Sequence, residues 1–128
     1  MERNCLRWAG FHGFFAVAMG AFGAHGLKAS VQGLPPEEAA KILGWVETGA
    51  RYQLAHAVAL LALAALWPRL KGVRARWSLN AWAWGALIFS ATLYAMALGA
   101  PRWLGAVTPL GGLALLAGWA SLFTALKD

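Results

Sequence analysis

The sequence predicts an all-α membrane protein, a bundle of four transmembrane helices with a short interfacial amphipathic helix between helices one and two. Apolar residues make up 60% of the chain and charged residues 12%, whereas soluble domains carry roughly 25% charged residues. The apolar residues are gathered in four runs, each close to the ~20 residues that a helix needs to cross the hydrocarbon. These runs have almost no polar face, which the helices of a soluble protein would show. A single transmembrane domain is therefore predicted over residues 1–128.

The predicted transmembrane helices cover residues 8–27, 48–66, 79–98 and 108–126. The first run follows a basic start, but it is longer than the ~7–15 apolar residues of a secretory signal, which favours a transmembrane helix. Trp67 and Pro68 close the second run. Thr108 is predicted to cap the fourth helix, with Pro109 at its first helical position.

The most polar stretch, residues 28–49, has a helical pattern of its own. Pro35 and Pro36 suit a helix start, and one face then carries Ala39, Ile42, Leu43 and Val46. With Trp45 as an interfacial anchor, the pattern predicts a short amphipathic helix lying on the membrane. The alternative is an ordered loop that covers the mouth of the bundle.

The basic residues indicate the orientation of the chain. Four of the eleven fall in one short loop between the second and third runs: Arg69, Lys71, Arg74 and Arg76. With the N-terminus inside, the cytoplasmic segments hold seven Lys and Arg residues and the outer segments four, which predicts a multi-pass cell (inner) membrane protein with both termini cytoplasmic. No helix or patch is left to follow a phosphate backbone, so no nucleic-acid partner is expected. The predicted partner is the lipid bilayer.

The residues that usually carry catalysis or bind metals are scarce. Cys5 is the single cysteine, which excludes an intramolecular disulfide and leaves a free thiol next to the first run. No acidic residue lies inside any apolar run, which argues against carboxylate dyads and acidic proton relays. His25 and His56 could pair, but two histidines without Cys, Asp or Glu at the same depth do not predict a metal site. Neither a catalytic residue nor a cofactor is expected.

Small residues form a stripe on one face of the first and of the fourth helix. The first stripe contains Gly13, Ala16, Gly20 and Gly23, and the second contains Gly111, Ala114, Gly118, Ser121 and Ala125. Small residues allow membrane helices to approach closely, which hydrophobic burial does not drive in lipid. The two stripes predict a contact between helices one and four, or a seam between copies of the chain.

The polar residues at membrane depth are predicted to form one cluster in the outer half of the bundle. Its members are His25, Arg51, Tyr52, Gln53, His56, Ser90 and Tyr94. His12 is set apart, because thirteen residues separate it from His25, or ~20 Å along a helix. Ionisable groups at this depth are candidates for function, here a hydrated site for a proton, ion or polar solute. The preferred interpretation is a structural hydrogen-bond network between helices, with neutral imidazoles acting as donors and acceptors.

The ordered motifs of the chain resemble those of one family. They are Phe22-Gly23-Ala24-His25-Gly26-Leu27, Trp45, Thr48-Gly49, Tyr52-Gln53, His56, Phe89-Ser90, Leu93-Tyr94, Ala97-Leu98, Val107-Thr108-Pro109, Gly111-Gly112 and Gly118-Trp119. Together they resemble the domain-of-unknown-function 423 family of small bacterial membrane proteins, over nearly the whole chain. The resemblance implies a four-helix membrane protein and no particular reaction. Its motif residues include most of the predicted polar cluster.

Two classes of function remain open from the sequence, and a membrane enzyme ranks third because no acidic residue lies inside an apolar run. The first is a non-enzymatic membrane component or assembly subunit, forming a homo-oligomer or joining other membrane proteins, with a structural polar cluster. The second is a minimal transporter or channel that uses His25, Gln53 and His56 for a proton, ion or small polar solute.

Overall fold

The computed structural model describes residues 1–127 and places most of them in four long helices. These are α1 (Glu2–Phe22), α2 (Pro36–Leu66), α3 (Gly72–Ala97) and α4 (Thr108–Leu122). Helix α1 continues through a π-helical segment, Gly23–Leu27, and a short helical turn, Lys28–Ser30. Short 3-10 segments, Trp67–Arg69 and Arg102–Ala106, precede α3 and α4. Among the described residues, two helical segments are long and apolar enough to cross a membrane, Pro36–Arg69 and Arg102–Leu122.

The predicted separate interfacial helix is wrong, because its residues are the first turns of α2. The helix begins at Pro36, as the proline pair predicts, and runs unbroken for 31 residues. An i, i+4 ion pair between Glu47 and Arg51, at 2.6 Å, spans the predicted boundary. The apolar face of this segment packs against Leu27 and Val31, at the end of the α1 extension. It therefore packs against protein as the first part of α2.

The helices pack in chain order, α1 along α2, α2 along α3 and α3 along α4. Each small-residue stripe therefore faces a sequence neighbour, and the predicted pairing of helices one and four is not formed. On α1, Gly13 faces Ala57 and Gly23 faces Val46, both on α2, while Gly20 has no atom near its missing Cβ. Short connections favour antiparallel neighbours, which explains this pairing.

The stripe of α4 lets α3 approach closely, through its backbone at Gly111 and through an indole at Gly118. A Cβ on Gly111 would lie 2.5 Å from the backbone nitrogen of Phe89, and one on Gly118 would lie 2.5 Å from the Trp82 indole. Gly85 of α3 lies opposite Gly111, so the two backbones meet closely. This is the close approach that small residues provide in membrane helix pairs.

The C-terminal residues fold back onto the loop between α2 and α3. Helix α4 stops at Leu122, four residues before the predicted end, and the next residues turn back across that loop. Leu126 forms an antiparallel bridge with Leu70, and the Lys127 backbone N–H donates to the Arg69 carbonyl at 3.1 Å. Cys5 belongs to the same buried cluster as Leu70. The N-terminus, residues 67–71, the first turns of α3 and the C-terminal segment therefore share one end of the bundle, here called the basic end. The predicted loop over Arg69–Arg76 is helical from Gly72, because α3 begins seven residues before its predicted start at 79.

Candidate functional site

A chain of hydrogen bonds crosses the interior from α3 through α2 to α1 and back to α3. The Tyr94 hydroxyl donates to Gln53 Oε1 at 2.8 Å, and Gln53 Nε2 lies 3.1 Å from His12 Nδ1. His12 Nε2 in turn lies 3.0 Å from the Ala83 carbonyl oxygen. His12 and Gln53 are buried, and Tyr94 is partly buried. We call Tyr94, Gln53, His12 and the Ala83 carbonyl the polar chain.

The partners of His12 define its tautomer. The Ala83 carbonyl can only accept, so Nε2 of His12 carries the hydrogen and donates it. Nδ1 is then the acceptor for the Gln53 amide N–H, which leaves Gln53 Oε1 to accept from Tyr94. A neutral imidazole therefore makes both of its hydrogen bonds, and the third bond, from Tyr94 to Gln53, joins two uncharged side chains. The polar chain is thus a directional series of neutral hydrogen bonds.

His56 makes a second, separate connection, between α2 and α4. The Trp119 indole N–H donates to His56 Nε2 at 3.1 Å, and His56 Nδ1 lies 2.7 Å from the Tyr52 carbonyl oxygen. An indole only donates and a carbonyl only accepts, so His56 carries its hydrogen on Nδ1. The ring of Trp82 lies 4.5 Å from that of Trp119 and 6.1 Å from that of His56.

Two buried serine hydroxyls donate hydrogen bonds to glycine carbonyls on a neighbouring helix. Ser90 Oγ donates to the Gly49 carbonyl at 2.8 Å, between α3 and α2. Ser78 Oγ donates to the Gly118 carbonyl at 2.9 Å, between α3 and α4. Gly49 also makes room for the polar chain, since a Cβ there would lie 2.7 Å from the Tyr94 ring.

Five of the seven predicted cluster residues lie around the α2–α3 contact, and two do not. Gln53 and Tyr94 belong to the polar chain, and Ser90 donates to the Gly49 carbonyl. The Tyr52 ring lies 4.7 Å from that of Phe89 and 6.5 Å from that of His56. His25 is exposed on the π-helical segment, outside this network. Arg51 is exposed and paired with Glu47. The predicted site of His25, Gln53 and His56 is therefore not formed, because His25 is exposed and Gln53 and His56 make separate hydrogen bonds.

Sequence reasoning missed His12 because it set the outer end of the second helix near residue 48. The real start at Pro36 lengthens α2 and shifts its register against α1. Gly13 faces Ala57 and Gly23 faces Val46, so His25 lies level with residues near 44, about two turns from Gln53. The same register brings His12 level with Gln53 and Ala57. The signal that could have located it is the proline-initiated helix pattern from residue 36.

Two apolar cavities separate α2 from α4 on either side of the His56–Trp119 bond. The larger, about 570 Å³, is lined by Tyr52, Phe89 and Leu116 among others. The smaller, about 300 Å³, is lined by Leu63, Trp82 and Leu122 among others. Trp82 Nε1 is the one buried side-chain nitrogen or oxygen that lacks a hydrogen-bond partner within residues 1–127. Its indole edge lies against Gly118.

No group of three or more His, Cys, Asp or Glu side chains within residues 1–127 could hold a metal ion. Cys5 is a free, buried thiol. The chemistry that the interior offers is hydrogen bonding between helices.

Four helices with many large apolar side chains on their exterior, joined by a few buried polar pairs, are typical of an all-α membrane protein. The chain belongs to the family described as protein of unknown function DUF423, whose model matches residues 19–112. The predicted family resemblance is confirmed.

The relatives of the chain are named as membrane proteins. The UPF0382 membrane protein of Haemophilus influenzae is 40% identical over 126 residues, which cover 95% of this chain and 92% of that protein. The UPF0382 inner membrane protein YgdD of Escherichia coli K12 is 41% identical over 119 residues, 93% of this chain and 86% of that protein. The UPF0382 membrane protein YwdK of Bacillus subtilis is 36% identical over 114 residues, which cover 86% of this chain and 85% of that protein. No solved structure matches the chain.

Proposed function

We propose that the protein is a non-catalytic component of the membrane with four spans, in which the polar chain holds α1, α2 and α3 in a single arrangement. The observation that carries this proposal is that the polar chain begins and ends on α3, running from Tyr94 through Gln53 and His12 to the Ala83 carbonyl with protein partners throughout. Apart from Trp82 Nε1, every fully buried side-chain nitrogen and oxygen within residues 1–127 has a protein partner. A site for a polar solute needs unpaired groups, and this interior offers almost none.

The packing supports four spans. Helices α1 and α3 are 21 and 26 residues long, or about 31 and 39 Å, which is enough to cross ~30 Å of hydrocarbon. Both pack along α2, one of the two segments that are apolar enough to span alone. The outer face of α1 exposes Phe14 and Val17, side chains that favour lipid over water.

The charge distribution supports a cytoplasmic basic end. Seven basic side chains lie there, against four at the opposite end, and positively charged segments remain preferentially in the cytoplasm. The opposite end also carries Glu37, Glu38 and Glu47. We therefore propose that both termini face the cytoplasm.

A transporter or channel that acts through His25, Gln53 and His56 has less support. His25 lies outside the polar chain, and the two nitrogens of His56 are already engaged by Trp119 and the Tyr52 carbonyl. The cavities beside His56 have mostly apolar linings, which suit hydrocarbon better than ions.

Reconstitution into liposomes tests the proposal. Liposomes with an internal pH-sensitive dye and a potassium diffusion potential would carry wild-type protein, Gln53→Leu protein or no protein. We expect the same proton flux in all three, and a lower unfolding temperature for Gln53→Leu in detergent, because His12 and Tyr94 lose their partner. A wild-type flux above that of empty liposomes, abolished by Gln53→Leu, would contradict the structural role and favour transport.

A further inference from the structure

A groove between the start of α3 and the end of α4 opens at the basic end. It measures about 310 Å³ and is lined by Arg74, Trp77, Ala117, Ala120 and Ser121. The hydroxyl of Ser121 donates to the Arg74 carbonyl at 3.1 Å, so it joins the two helices within the groove and is not free for a ligand. The group left for recognition is the Arg74 guanidinium.

The Arg74 side chain is exposed and forms no ion pair or hydrogen bond with any of residues 1–127. The surrounding charge is mainly positive, since the basic end holds seven Lys and Arg side chains against, among the described residues, the single carboxylate of Glu2. The comparable groove at the opposite end differs. There Arg102 lies 3.4 Å from Glu38, and Glu37 and Lys41 complete a lining of mixed sign.

We infer that the Arg74–Trp77 groove binds an anionic phospholipid, with its phosphodiester on the Arg74 guanidinium and an acyl chain along Ala117 and Ala120. A guanidinium fork matches two phosphate oxygens in a way that an ammonium group does not. Trp77 is one helical turn from Arg74 and 66% exposed, and tryptophan favours the level of the lipid headgroups. The two alanines leave the groove shallow and apolar below that level. Basic pockets between membrane helices are known to take anionic headgroups.

The chain offers a matched control for this site. Arg76 lies two residues after Arg74, about 200° round the same helix, and is exposed at the same end without lining the groove. Removing either arginine lowers the net charge of the basic end equally, but only Arg74→Gln removes the headgroup partner. Ala120→Leu fills the groove and leaves every charge in place.

Lipid binding is measured by native mass spectrometry of the detergent-solubilised protein, titrated with phosphatidylglycerol or phosphatidylcholine. We expect wild type to bind phosphatidylglycerol more tightly than phosphatidylcholine, and Arg74→Gln to weaken the former about fivefold. Ala120→Leu should weaken it as well, while Arg76→Gln should stay within about twofold of wild type. Glycerol phosphate in millimolar excess should not compete, because it has no acyl chain.

Three results would overturn the inference. Equal losses in Arg74→Gln and Arg76→Gln would mean diffuse attraction to a basic surface. Equal binding of both lipids would remove the role of the phosphodiester charge. Competition by glycerol phosphate, with no effect of Ala120→Leu, would mean a site for free phosphate compounds. Circular dichroism of each variant checks that its helices remain folded.

Discussion

The side-chain amide of Gln53 lies 3.1 Å from Nδ1 of His12, and this hydrogen bond joins two helices whose residues are 41 positions apart. It is the central bond of the polar chain, since both partners also hydrogen-bond to α3, His12 to the Ala83 carbonyl and Gln53 to the Tyr94 hydroxyl. Each interhelical hydrogen bond of this kind contributes ~0.6 kcal/mol on average in a membrane protein. On the proposed function, the polar chain specifies how α1, α2 and α3 align more than it supplies stability.

The two adjacent glycines at the start of α4 should respond differently to a methyl group. A Cβ on Gly111 would lie 2.5 Å from backbone atoms of Phe89, whereas one on Gly112 would make an ordinary 3.8 Å contact. We expect Gly111→Ala to destabilise the protein by about 1–3 kcal/mol through overpacking, and Gly112→Ala to be neutral or stabilising. Thermal unfolding in detergent compares them. Equal unfolding temperatures would contradict the α3–α4 contact.

Replacing His12 should lower the stability of the protein more than replacing His25, as measured by thermal unfolding in detergent. His12→Leu leaves the Gln53 amide and the Ala83 carbonyl without their partner, and we expect a loss of about 1–3 kcal/mol. His25→Leu changes an exposed side chain outside the polar chain, so we expect little change. A larger effect at His25 than at His12 would restore the interpretation based on sequence.

The indole of Trp119 should stabilise the contact between α2 and α4. Trp119→Phe removes the donor to His56 Nε2 while keeping an aromatic ring, and we expect a loss of about 1 kcal/mol or more. Trp103→Phe is the control, because Trp103 is 66% exposed and forms no hydrogen bond with residues 1–127. Chemical unfolding followed by tryptophan fluorescence measures both variants. A Trp119→Phe protein as stable as the control would refute the importance of this bond.

Single cysteines should report which ends of the bundle share a side of the membrane. In a Cys5→Ala background, Arg3→Cys, Arg76→Cys and Lys127→Cys all lie at the basic end, and Gly33→Cys lies at the opposite end. We expect an impermeant maleimide added to intact cells to label only the cysteine at 33. Labelling of only the other three would reverse the proposed orientation. Mixed labelling among those three would contradict the fold.

The sequence was sufficient for the four helices and for two of their starts, because long apolar runs and prolines at first helical positions are local signals. Pro36 begins α2 at the predicted proline pair, and α4 begins at Thr108. The predicted cap is wrong, because Val107 precedes the helix, no side chain caps it, and Thr108 and Pro109 are its first two residues. The start of α2 was predicted near residue 48 because the apolar face from Ala39 to Val46 could pack equally well on a membrane surface or on protein. In the structure it packs on Leu27 and Val31. Only the tertiary contact distinguishes the two.

The candidate site was predictable on α2 and α3 and not on α1. Gln53, Ser90 and Tyr94 stand out as polar residues within apolar helices, and such residues need hydrogen-bond partners inside the protein. The choice between His12 and His25 depends on the antiparallel register, which in turn depends on where α2 begins. An error of twelve residues in that start placed the wrong histidine beside Gln53.

The most direct test of the structural role of the polar chain is a double-mutant cycle between His12 and Gln53, measured as the free energy of unfolding in a bilayer or bicelle. His12→Leu leaves Gln53 Nε2 without its partner, and Gln53→Leu leaves His12 Nδ1 without its partner, while the double variant removes both atoms. We predict a coupling energy of about 0.6–1.7 kcal/mol, so that the double variant loses less stability than the two single losses combined. Additive losses, within about 0.3 kcal/mol, would contradict a structural hydrogen bond between these two side chains.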